Sequence, residues 1–256
     1  MKGRYEAVLN GVALSDLDEK LLILNIEYSA PQYNFQTYTV AGRQGASVFD
    51  MKKDPVSVKI SFELHLYSIQ ARQNACQNVI SWARNGGDLE INDRPGQVLH
   101  CVCNELPSID SVRDWTSPVT IGFTAYSLPY WEEKTPAKIT LTGTSASGNL
   151  FVPGNGGEAF VKCTVSHSSS LSSLRVDCGS TFIALSGISV AANKPVYISY
   201  DSNGILSIVA NNVSLLNKRT AASSDDLKVR SGVTSTFSLT ASSSSTALFE
   251  VRGLWE

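Results

Sequence analysis

Charge, histidine and long apolar runs are all scarce in this chain, and each shortage removes a class of function. Only 17% of its 256 residues are charged, and the formal net charge is −2. No global field therefore draws the protein to nucleic acid or to an anionic membrane. LLILNI at Leu21–Ile26 is too short to span a bilayer, and the acidic residues before it do not suit an export signal. The expectation is synthesis in the cytoplasm of the producing cell, with no membrane partner. Five cysteines, an odd number without an export signal, point to reduced thiols rather than a disulfide framework. With three histidines and no G-x-S-x-G motif, nothing marks a Ser-His-Asp arrangement. Gly154–Gly157 lacks the lysine and the strand-to-helix setting of a phosphate loop, so it reads as a turn.

What the chain does have is β-pattern. Arg4–Leu9, a turn at Asn10–Gly11 and a short return open it. Strands follow at Leu21–Ser29 and Tyr33–Val40, and then a loop at Ala41–Ser47 whose glycines supply the positive φ a wide turn needs. In PVSVKISFELHLY (Pro55–Tyr67) apolar and polar residues alternate strictly, which buries one face and leaves Lys59, His65 and Tyr67 on the other. The period then changes. Ser68 is placed to cap a helix with Ile69, Cys76, Val79, Ile80 and Ala83 on one stripe, stopped by Gly86–Gly87. Further strands are expected at Asp88–Ile91, Gln97–Leu106 and Thr116–Tyr126.

After Pro136 serine and threonine become dense and no helical period recurs. Strands are expected at Ala137–Gly143, Phe160–Ser166, Ser173–Cys178 and Phe182–Leu185. Val196–Val209 reads as a hairpin turning at Asn203–Gly204. A last hairpin would join Thr236–Ala241 to Ala247–Trp255 around the serine run. SLPYWEEKTP divides these textures, with proline at both ends and Tyr130 and Trp131 available for packing. Two domains are expected, 1–133 and 134–256. The fold class is mainly β: a sandwich or barrel-like first domain with one α-helix, followed by a β-sandwich.

Candidate chemistry is sparse. On a strand, Cys101 and Cys103 of HCVC point one way and His100 the other. A zinc site needs two more ligands and the chain offers no second cluster, so both cysteines are expected to be buried in the core and slow to react. Glu132–Glu133 and Asp225–Asp226 are adjacent carboxylates that extended chain turns apart, unlike a glycosidase pair converging from different elements. Tyr197, Tyr200 and Trp255 are the aromatics that could stack on sugars, although core packing is the commoner use. No residue is assigned as catalytic, cofactor-binding or metal-binding, no cofactor is expected, and the protein is read as not an enzyme.

The order of these features resembles the distal tail proteins of long-tailed bacteriophages and prophages. The likeness rests on Leu9–Leu17, the AGRQG loop at Ala41–Gly45, the alternating strand feeding a helix at Pro55–Ala83, and the junction at Leu128–Trp131. Leu128 replaces the acidic residue usual at that junction. Tyr197–Ile208, Asp225–Gly232 and the closing strand ending at Trp255 extend the likeness over nearly the whole chain. It implies a homohexameric ring built by the first domain at the virion tail tip, joining the tail tube to the tail-associated or baseplate proteins. DNA would pass through the channel without specific binding. A galectin-like second domain would attach receptor-binding proteins or host-surface glycans. The alternatives are a free carbohydrate-binding module, which leaves the first half unexplained, and a glycoside hydrolase whose carboxylates meet only in the fold.

Overall fold

The computed structural model describes residues 4–29, 32–39, 41, 44–108, 118–126, 128–201 and 204–256. The chain divides into two compact units, Met1–Trp131 and Glu132–Glu256.

The first unit is built on an antiparallel sheet. In chain order its strands are β1 (Ala7–Leu9), β2 (Val12–Ala13), β3 (Leu21–Tyr28), the separate pair β4 (Tyr33–Tyr38) and β5 (Ser47–Lys53), β6 (Val56–Leu64), and then α1 (Ile69–Ala83), β7 (Gly87–Ile91), β8 (Gln97–Glu105) and β9 (Val119–Ala125). The main sheet runs β2-β1-β7-β8-β9-β6-β3. The period-two segment behaves as its pattern requires: Val56, Val58, Ile60, Phe62 and Leu64 are all buried and the residues between them are half-buried. β9 lies beside it in register, Ile60 opposite Ile121 and Val58 opposite Phe123.

The helix starts where expected, with the Ser68 hydroxyl accepting the Ala71 amide at 3.0 Å. Its buried stripe is turned from the expected one. Arg72, Ala75, Cys76, Val79 and Ala83 face inward, while Ile69 is 53% exposed. Arg72 can be buried because its guanidinium donates to the Leu66 and Tyr67 carbonyls just before the helix. Trp82 fixes the helix on the sheet: its ring meets Phe123 edge-on at 6.0 Å, and its Nε1 donates to the Val12 carbonyl. The chain leaves the helix at Gly86, with φ +62°. A side chain there would come within 2.3 Å of the Cys101 carbonyl, so only glycine allows the helix end to approach β8.

The strand β5 was not expected. Ser47 ends the expected loop and no element is expected at 48–53, yet Ser47–Lys53 pairs with β4 from Tyr33↔Lys53 to Tyr38↔Ser47. Three of its seven residues are charged and its partner β4 is exposed throughout, so the sequence shows no clean apolar alternation there. Gly42 and Arg43, in the connecting loop, lie outside the described residues.

The second unit contains β11 (Ala137–Phe151), β12 (Glu158–His167), β13 (Leu171–Cys178), β14 (Thr181–Val190), β15 (Val196–Tyr200), β16 (Leu206–Ala210), β17 (Val213–Ser214), β18 (Lys228–Arg230), β19 (Thr234–Val251) and β20 (Leu254–Trp255). β10 (Trp131–Glu133) sits at the boundary of the two units. The expected hairpin β15–β16 is present, Val196↔Ala210 to Tyr200↔Leu206; Asn203 at its turn lies outside the described residues.

The expected hairpin around the serine run is absent. Thr234–Val251 is a single strand of 18 residues that changes partners on the way. Phe237–Ala241 pairs with β13, and Ser245–Val251 pairs with β12. β11 accompanies both halves and takes the change of direction in a bulge between Gly143 and Ser145. No glycine, proline, asparagine or aspartate stands at 240–246 to make a tight turn. Serine serves there because its short hydroxyl can stand in for missing ladder bonds: Ser242 Oγ accepts the amides of Ser172 and Ser173. The two halves of β19 fold over one another, Phe237 against Phe249 at 5.2 Å, and this contact lies in the core of a β-sandwich.

Candidate interaction surfaces

The HCVC segment assembles no site. Cys101 is buried, and burial pushes its thiol up to about 12. Cys103 is half-buried rather than in the core, because β8 slips register against β9 between Cys103 and Glu105. Its Sγ donates to the Glu105 carbonyl at 3.5 Å, and its thiol is also raised by burial. His100 is on the other face, joined to Asp88. All five cysteines are free thiols, and among the described residues no group of three or more His, Cys, Asp or Glu could hold a metal ion.

The adjacent carboxylates are dispersed among partners. Glu133 accepts Trp255 Nε1 at 2.8 Å. Asp225 meets Arg219 at 3.3 Å and Asp226 meets Lys228 at 2.9 Å. The three aromatics are likewise put to separate uses. The Tyr200 hydroxyl accepts the Leu227 amide at 2.6 Å and its ring packs on Phe160 at 4.4 Å. Trp255 is held by Glu133, and Tyr197 alone is exposed.

A shallow polar groove of about 410 Å³ lies at one end of the second unit, lined by Ser166, His167, Asn193, Ser244 and Thr246 among others. It has no aromatic platform. Its histidine is buried, with Nδ1 2.6 Å from the Ser169 carbonyl and Nε2 2.8 Å from the Lys194 carbonyl. Both partners are backbone carbonyl oxygens, so each ring nitrogen is engaged by the main chain. His167 thus ties two loops together and has no ring nitrogen left for a ligand. Sequence reasoning did not single it out, because a lone histidine in a serine-rich turn carries no signal.

The polar face of β6 is balanced in charge. Lys59 stands opposite Glu27 on β3 and meets Glu105 at 3.4 Å; His65 pairs with Glu63 at 2.9 Å, and Tyr67 is fully exposed. The β4–β5 hairpin is a different kind of surface. It forms a two-stranded sheet of its own, closed at its base by Asp54 N donating to the Gln32 carbonyl. Every residue of β4 is exposed, including Tyr33, Phe35 and Tyr38, and Val48 on β5 is 57% exposed. A lone hairpin is marginal in water, and one carrying large apolar side chains gains by being covered. No helix among the described residues is long and apolar enough to cross a membrane.

No protein-family model matches the sequence, and no curated protein matches it. Solved structures do. The SPP1 Dit protein, described as a paradigm of the hub adsorption apparatus in phages infecting Gram-positive bacteria, superposes with a TM-score of 0.72. It is 13% identical, and the match covers 97% of this chain and 98% of that one. Chains of the phage P2 baseplate in its activated conformation, with calcium and with strontium, match at TM-scores of 0.48 and 0.47 and 8% identity, covering 97% of each chain. The protein has the distal tail protein fold from end to end.

Proposed function

We propose that this protein is the structural hub of a bacteriophage or prophage tail tip. Its first unit forms a homohexameric ring that joins the tail tube to the tail-associated or baseplate proteins. Its second unit is a galectin-like sandwich that attaches receptor-binding proteins or host-surface glycans. The role is structural rather than catalytic, in the virion, after synthesis in the host cytoplasm. DNA passes through the ring without specific binding.

The observation that carries this reading is the correspondence with SPP1 Dit across both units, since a shared sandwich alone would account for only half of the chain. The β4–β5 hairpin supports it. A head-to-tail contact whose rotation closes into a ring covers one exposed element per subunit with the neighbour's surface. The balanced outer face of β6 fits a channel that DNA must slide through, because many unpaired cations would grip the phosphates.

Negative-stain microscopy of the full chain, alone and mixed with the neighbouring tube and tip proteins, tests the proposal. Six-fold rings are the expected result in the mixture. A chain that stays monomeric in the mixture at high concentration overturns it.

A further inference from the structure

The longest open edge of the second unit is β11. Its 15 residues pair with β19 along both halves and with no other strand among the described residues. The unit's other edges are short or sealed. β17 has two residues and β18 three. β14 is covered over Phe182–Leu185 by the segment 219–224, where the Thr220 and Ser224 amides donate to Ala184 and Phe182 and two serine hydroxyls accept in return, which leaves only a short stretch beyond. Uncovered edges are usually blunted by charge, proline or brevity, because they template further strands. β11 has no proline, and its one charged side chain, Lys138, is held by Glu250 at 2.6 Å.

The bend in β11 gives this edge a specific shape. Residues 137–143 pair with one half of β19 and residues 145–151 with the other. The two halves lie over each other: a Cβ added to Gly148 would stand 2.8 Å from Ile139 Cδ1 and 3.1 Å from Leu141 Cδ2. Gly148 is therefore stacked between Ile139 and Leu141, over Thr140. One two-fold axis normal to both layers and passing by this point would place a second β11 antiparallel beside both halves at once. Thr140 would face its own copy in one layer and Gly148 its own copy in the other. An unrelated strand needs no such alignment, whereas a symmetric pair depends on it.

We propose that two copies of this protein associate through β11, continuing both layers of the sandwich across a two-fold axis. In this register Ile139 stands beside Leu141 of the second copy on the inner face, where Ile139 is only half-buried within one chain. On the outer face Thr140 meets Thr140, a favourable cross-strand pair, and Lys138 meets Thr142. No like charges are opposed. This association is independent of the hexameric ring, and it joins whatever assembly the first unit makes to a second one.

The full chain tests it by sedimentation velocity over a wide concentration range. Thr140 is exposed, so Thr140→Lys and Thr140→Glu should each fold, which circular dichroism checks. Each sets like charges against each other at the axis. The wild-type protein should sediment at twice the mass of either variant, and an equimolar mixture of the two variants should recover the wild-type mass by pairing Lys with Glu. Equal masses for wild type and both variants overturn the proposal, as does a mixture that stays at the lower mass. Rings of unchanged mass in all samples would overturn edge pairing while leaving the ring standing.

Discussion

At the scale of single residues, the clearest physics is in the thiols and in Tyr200. Burial raises the Cys101, Cys163 and Cys178 thiols, and burial also raises the Tyr200 hydroxyl. The folded chain thus keeps protons that the unfolded chain releases from about pH 8.5 for thiols and about pH 10 for tyrosine. Wherever the unfolded state binds fewer protons, stability falls as pH rises. The contribution is complete below about pH 8 and is lost progressively above it. Urea midpoints measured in reductant should therefore drop between pH 7.5 and pH 10, with Cys163→Ala and Cys178→Ala flattening the decline. In the native protein at pH 8 these three thiols should label far more slowly than in urea. His167 offers a second test at this scale. Replacing it by alanine removes the partner of the Ser169 and Lys194 carbonyls and should cost about 1 kcal/mol in chemical denaturation, the scale of a lost hydrogen bond.

Elements show which parts of the fold were legible in the sequence. Strands with one buried face announced themselves: β6 alternates because every second residue enters the core. The capped start of α1 was equally plain, but its phase was not. Nothing in the sequence says that Arg72 will find two carbonyls and so be buried in place of Ile69. β5 was invisible because three of its seven residues are charged and its apolar residues do not alternate with polar ones. The serine run misled for the converse reason, since its small polar residues look like a turn while serving a strand that changes partners. His167 was missed because its role depends on two loops that only the fold brings to it. The continuous strand makes a sharp prediction. Ser245 is 2% exposed and pairs with Gly143 on one side and His167 on the other. Proline there interrupts a central strand and should cost about 3 kcal/mol or more, whereas a hairpin tip would tolerate it. Gly253→Ala should be comparably damaging, because its Cβ would stand 1.9 Å from the Pro153 carbonyl. Denaturation midpoints decide both.

For the whole molecule, the informative feature is a mismatch between folding and exposure. Each unit has its own set of fully buried side chains, Phe62 and Phe123 in the first and Phe237 and Phe249 in the second. The β4–β5 hairpin forms a sheet of its own and carries Phe35 at 58% exposure, with Tyr33, Tyr38 and Val48 exposed as well. A residue that a single chain leaves in water adds little to that chain's stability, so its identity matters only in an assembly. Phe35→Asp should therefore leave the urea midpoint of the isolated chain within about 0.5 kcal/mol of wild type, as surface substitutions generally do. In the proposed ring the same change buries an unpaired carboxylate against a neighbour, a penalty large enough to abolish a contact that hydrophobic cover sustains. Microscopy of the variant mixed with tube and tip proteins should show no rings where the wild type forms them. Intact rings from Phe35→Asp would mean that the hairpin lies outside the subunit contact. A lowered urea midpoint would mean instead that it supports the fold of its own chain.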